Sequence, residues 1–183
     1  LQDRVMRETK ERKNAVEAYV YSMRSKVTTS LADFATPAAS EAFGKLLNDT
    51  EDWLYDDGED ESKGVYIAKL AELKAMGGPI EARAAETEAR PAAAAALTAA
   101  AVLIAGQAAP DAAHAHIDAA DLESIMAEVK KATEWLAEKV QLQATSAKSA
   151  YPVLLSADIA KKEETLVRFA TPILARPDRK SAV

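Results

Sequence analysis

The side chains able to do chemistry gather at two places. One is the acidic run Asp56-Asp57-Gly58-Glu59-Asp60-Glu61, which directly follows the apolar cluster Trp53-Leu54-Tyr55. Carboxylates at that density suggest a hard cation or paired acid–base work. A helix–loop–helix calcium site draws its ligands from alternate positions, with glycine at the middle turn and a bidentate glutamate closing the loop. Here Gly58 is third in the acidic run, so the acids are present without the pattern, and the run reads as a solvated loop between helices. The other place is His114-Ala115-His116. Two residues apart on a helix, the imidazoles would diverge by roughly 200°. No third ligand is suggested nearby, so the pair reads as a surface turn. The chain has neither a Gly-rich phosphate loop nor a nucleophile elbow, and no cysteine to supply a thiolate. Acids are abundant enough to leave a paired-carboxylate hydrolase open on spacing alone, but nothing marks any of them as buried. The expectation is a chain with no catalysis, metal or cofactor of its own.

The elements that position these residues follow from composition. The 183 residues include 41 alanines, only 5% aromatics and 28% charged residues. Alanine, glutamate, lysine and leucine are strong helix formers, which predicts an all-α protein able to bury one good core or two small adjoining ones. A net charge of -6 and a pI near 5.1 exclude duplex nucleic acid as the main partner, since phosphate binding needs a clustered basic surface. The apolar run from Pro91 to Pro110 has the length of a membrane span. It is mostly alanine, is bounded by proline and lacks aromatic and basic anchors, so no membrane role is expected. The absence of cysteine suits a reducing compartment, cytoplasm or nucleus. The N-terminus lacks the features of a signal peptide and begins as if mid-helix, which is the expectation for a fragment of a longer protein.

About six helices are predicted, forming an antiparallel bundle. The first covers residues 1 to about 29 with Val5, Tyr19, Val20, Met23 and Val27 as its apolar stripe. The second opens at Thr36-Pro37, buries Phe43, Leu47 and Leu54, and ends near Asp57-Gly58 because glycine tolerates the left-handed conformation. A third, from Ser62 to Met76, buries Tyr66, Ile67, Leu70 and Leu73 and is ended by Gly77-Gly78-Pro79. A fourth runs from Pro79 to Ala108 with a kink at Pro91. Asp118 caps a fifth that carries Leu122, Ile125, Met126, Val129, Trp135, Leu136 and Val140. The last starts near Ser156 and buries Ile159, Leu166 and Phe169 before Pro172.

"TEDWL" (50 to 54) and "ATEWL" (132 to 136) each sit near the end of an amphipathic helix and are followed by a loop, another helix and Pro-Ile. That weak repeat predicts two tandem three-helix units, 1–78 and 79–183, each Trp in its own core. On the second helix, Asn48 and Glu51 are three apart and lie opposite the Phe43/Leu47/Leu54 stripe. They are either a solvated face or a rigid polar ridge for docking.

With the helices placed, four stretches resemble the heat shock protein 110 branch of the heat shock protein 70 superfamily, in its C-terminal α-helical domain. They are "NAVEAYVYSMRSKV" (14 to 27), "LNDTEDWLYDDGEDESKGVYIAKLAELKAMGGPIEAR" (47 to 83), "EARP" (88 to 91) and "HIDAADLESIMAEVKKATEWLAEKVQLQ" (116 to 143), in the same order. The acidic turn after Trp-Leu-Tyr distinguishes this branch from ordinary 70-kDa members. The Ala-rich segment 92–109 departs from the more polar residues usual there. The resemblance implies a large chaperone, ATP-binding through an upstream domain, that exchanges nucleotide on 70-kDa heat-shock partners and holds unfolded client proteins. It implies that this helical part docks the partner's ATPase domain, and residue by residue it points to Asn48 and Glu51. Two other readings stand beside it: a free-standing helical scaffold or lipid-surface bundle, and the peptide-binding lid of an ordinary 70-kDa chaperone.

Overall fold

Five α-helices and one short 3-10 turn carry the described residues, 2–109 and 114–177, of the computed structural model. They are α1 (Gln2–Lys26), the 3-10 turn (Ala32–Phe34), α2 (Pro37–Leu54), α3 (Lys63–Gln107), α4 (Ala119–Thr145) and α5 (Ser156–Leu174). The starts follow the capping chemistry of the sequence. Thr36 Oγ1 accepts from the Ala39 N–H at 3.2 Å with Pro37 opening α2. Asp118 Oδ1 accepts from the Ala120 N–H at 3.1 Å ahead of α4. No side chain of its own turn caps α5. Instead the Glu86 carboxylate on α3 accepts from the Ser156 N–H at 2.7 Å and from its hydroxyl at 3.0 Å.

The count is five and not six because Gly77-Gly78-Pro79 does not end a helix. The 45 residues of α3 run through that triplet and through Pro91. A glycine costs a helix about 1 kcal/mol and an interior proline about 3 kcal/mol, and burial at Gly77 and Ile80 offsets part of that cost. Gly77 is buried, and a Cβ there would lie 2.2 Å from Tyr19 Oη and 2.8 Å from Phe43 Cζ. Its missing side chain lets helices approach. One turn later Ile80 is buried, while Pro79 and Pro91 both lie on the exposed side of the helix. α5 likewise continues through Pro172 to Leu174.

The structure divides inside α3. One unit comprises residues up to Ala85 together with Ala147–Tyr151; the other comprises Glu86–Ser146 and the residues from Pro152 on. In the first, α2 runs antiparallel to α1: Lys13 Nζ reaches the Glu59 carbonyl at 2.7 Å while Arg24 meets Glu51. The N-terminal part of α3 completes a three-helix bundle around Val16, Met23, Phe43, Leu47, Tyr66 and Leu73. At its outer edge Lys63 Nζ lies 2.8 Å from Glu8 and, by hydrogen bond and charge, holds that carboxyl below its usual pKa. In the second, α4 and α5 form an antiparallel hairpin against the C-terminal part of α3, around Leu97, Ile125, Leu154, Ile159, Leu166 and Ala170. Trp53 packs against the first core and Trp135 against the second.

The Ala-rich stretch of α3 is long and apolar enough to cross a membrane. Leu97, Ala101, Ile104 and Ala108 recur along it at helical spacing and all lie in the second core. Elsewhere the apolar stripes are narrower than their sequence suggested. Val5, Ile67, Met126, Val140 and Phe169 are exposed, because each sits at the margin of a stripe whose centre alone meets neighbouring helices.

Candidate functional site

The face of interest is built on α1 and α2. Phe43, Leu47, Thr50 and Leu54 turn one side of α2 into the core, and the Thr50 hydroxyl, 1% exposed as a residue, donates to the Leu46 carbonyl at 2.7 Å. That fixes the rotation of α2 and sends Asn48 and Glu51 outward. Asn48 is exposed as expected. Glu51 is not a free carboxylate: Arg24 of α1 donates a hydrogen bond and pairs with it, the two side chains being 48% and 37% exposed respectively. Such a half-exposed pair adds little stability, about 0–1 kcal/mol, but it holds both side chains in one orientation. Sequence spacing on α2 alone missed Arg24, which lies 27 residues away. The signal available was the antiparallel register of the hairpin, which brings an α1 arginine opposite an α2 glutamate.

Two exposed tyrosines lie about one helical turn from this pair, on the same side of it. Tyr21 on α1 is 83% exposed and Tyr55, the C-cap residue of α2, is 78% exposed. Beyond them lies the acidic turn, whose geometry corrects the reason for its glycine. No described residue has positive φ, so Gly58 does not end α2 by a left-handed turn. Gly58 is buried under Trp53, and a Cβ there would lie 2.4 Å from two atoms of the indole. Tyr66 Oη sits 2.6 Å from the Gly58 carbonyl and 3.0 Å from that of Glu59, and it accepts from the Glu61 N–H at 3.1 Å. Its ring meets Trp53 edge-on at 5.9 Å, and Lys69 Nζ lies 5.0 Å above the indole. The turn is thus shaped by rings and a lysine on its inner side. The carbonyls of Asp56, Gly58 and Glu59 are engaged by protein donors, and Asp56, Asp57, Glu59 and Asp60 are exposed.

In the other unit, His114 and His116 lie in a turn, with ring centroids 6.2 Å apart. His116 Nε2 is 2.6 Å from the Arg176 carbonyl oxygen, while the Arg176 guanidinium pairs with Asp121. His116 and the Arg176–Asp121 pair therefore fasten the end of α5 beside the start of α4, while His114 Nδ1 is buried without a hydrogen-bond partner. The residues preceding them, 110–113, lie outside the described residues.

Residues 1–86 match the family described as Hsp70 protein. Over 178 residues, 97% of this chain, it is similar to heat shock 70 kDa protein 15 of Arabidopsis thaliana at 46% identity. Over 184 residues, 98% of the chain, it is similar to human heat shock 70 kDa protein 4 at 36% identity. Over 166 residues, 88% of the chain, it is similar to heat shock protein 110 of Caenorhabditis elegans, also at 36%. The chain belongs to the heat shock protein 70/110 family. It spans about a fifth of the length of these curated relatives, 21% of the plant and nematode proteins and 22% of the human one. The Hsp70 family match ends beside the division of the two units at Ala85 and Glu86, so Asn48, Glu51, Arg24 and both exposed tyrosines lie within the matched part.

Proposed function

We propose that this chain is the helical docking domain of a large heat-shock chaperone that exchanges nucleotide on 70-kDa chaperones and holds unfolded clients. ATP binding belongs to a part of the parent protein outside this chain. The observation that carries the reading is the Asn48–Glu51–Arg24 ridge. It is polar, with Asn48 exposed and the Arg24–Glu51 pair half-exposed, it is held by that ion pair on two packed helices, and it lies in the part of the chain that matches the family. A surface so fixed pays little ordering entropy on binding. By gripping the partner's ATPase domain better in its open form than in its closed form, the domain shifts that equilibrium towards nucleotide release, a population shift by differential affinity. Its contribution is binding, and the chemistry of nucleotide hydrolysis stays with the partner.

The test is Asn48→Tyr with Glu51→Lys in the full-length parent. Calorimetry with a 70-kDa chaperone is expected to show weakened binding, with helicity by circular dichroism unchanged. Unaltered affinity would remove this face from the interaction. The chain alone is expected to leave the partner's nucleotide release rate as it was; a clear acceleration would move the exchange activity into this domain.

A further inference from the structure

We infer, resting on the docking reading above, that Tyr21 and Tyr55 are the apolar anchors of the same face and that the acidic turn beside them selects a lysine- and arginine-bearing surface on the 70-kDa partner. The register places them together. Arg24 and Glu51 touch across antiparallel helices. Tyr21 is three residues before Arg24 on α1, and Tyr55 is four after Glu51 at the end of α2, still in the right-handed helical region. In antiparallel helices those two steps run the same way. Both rings therefore stand about one turn, roughly 5 Å, from the ion pair on its acidic-turn side. Asn48 stands one turn away on the opposite side. The face is a ladder: an amide, an ion pair, then two phenols.

Tyr21, at 83%, and Tyr55, at 78%, are among the three most exposed large apolar side chains in the described residues, with Tyr151 at 79%. The core does not use them, although Phe43 and Tyr66 of the same unit are fully buried and Tyr19, Phe34 and Trp53 pack against it. Two tyrosines beside an arginine have the composition of an interface hot spot: large contact area, few rotatable bonds and a polar tip. The charge around them identifies the occupant. Asp52, Asp56, Asp57 and Asp60 are exposed, and none is ion-paired among the described residues. A second copy of this face would bring like charges together, whereas a basic surface gains both charge complementarity and cation–π contact with the phenol rings.

The experiment uses the full-length parent and a 70-kDa chaperone, with calorimetry at low and high salt and sedimentation of the parent alone. Tyr21→Ala with Tyr55→Ala is expected to weaken binding roughly tenfold or more, while Tyr21→Phe with Tyr55→Phe stays within about twofold. Asp56→Lys with Asp57→Lys is expected to weaken binding at low salt and flatten its salt dependence. All three variants should keep the parent's melting temperature, since every altered side chain is exposed. If the alanine pair binds like the parent while Asn48→Tyr with Glu51→Lys does not, the anchors are wrong and the docking reading stands. If no variant weakens binding, or the parent itself does not bind, both fall. Loss of self-association in place of partner binding assigns the face to a second copy and overturns the inference.

Discussion

The two halves of the chain solve the same packing problem in different ways. Each puts a Trp-Leu pair on the second helix of its bundle, buries the leucine, and lays a lysine over the indole: Lys69 at 5.0 Å from Trp53, Lys162 at 5.1 Å from Trp135. In the first half the backbone then gives way to rings. Gly58 lies against the indole and Gly77 against Phe43 and Tyr19, so the fit is steric and unforgiving. The second half has a core of leucine, isoleucine, valine and alanine, and its loop is held by hydrogen bonds: Glu86 on Ser156, and Gln143 Oε1 accepting from the Val153 N–H at 3.0 Å and the Leu154 N–H at 3.2 Å. Ring-against-glycine contacts fix a helix in both rotation and height, which is what a face of individually placed side chains requires. Small-residue packing fixes less, and polar clips make up the difference.

The largest effect should come from one substitution made in both halves. Gly77→Ala is expected to destabilise the protein by about 3 kcal/mol, since the new methyl overlaps two rings. Gly106→Ala, with nothing within 4 Å, is expected to stabilise by about 0.5 kcal/mol through helix propensity. Denaturant melts of the two variants that moved the same way would break the contrast. Next, Glu86→Ala should cost about 1–2 kcal/mol by uncapping α5. Faster amide exchange is expected in the first turn of α5 and none at α2; uniform exchange would mean the clip is decorative.

The smallest effect sharpens the contrast from the other side. Tyr19 Oη is buried without a hydrogen-bond partner, and burial, then the charge of Glu81, pushes its pKa up to about 12. Tyr19→Phe is expected to add about 1 kcal/mol by removing that orphan group. The pH dependence has a definite sign. The unfolded phenol titrates near 10 and the folded one near 12, so the parent keeps its full stability below pH 10 and loses part of it as pH rises through 12, while the advantage of Tyr19→Phe grows. Melting temperatures across that window should fall less steeply for Tyr19→Phe than for the parent.

Much of this was legible in the sequence where a residue's role is local. Thr36-Pro37 and Asp118 announced their helices, and the spacing of Phe43, Leu47 and Leu54 gave the inner side of α2. The outward position of Asn48 followed by subtraction. What the sequence hid was non-local. Gly77 and Pro79 carry the letters of a stop, but the decision rested with Tyr19 and Phe43, far away in the chain. The pairing of Glu51 depended on Arg24 in another helix, and the cap of α5 on Glu86 in α3. Exposure of Ile67 and Phe169 depended on which parts of their stripes found neighbours.

The chain has two tryptophans, and each sits against a different core. It therefore carries one intrinsic fluorophore per bundle, each beneath an ammonium group that tunes its emission. With Trp53→Phe or Trp135→Phe, heating the protein reports one bundle at a time by colour and intensity. Whether the halves melt as one cooperative body or in succession can be read optically, without attaching a label.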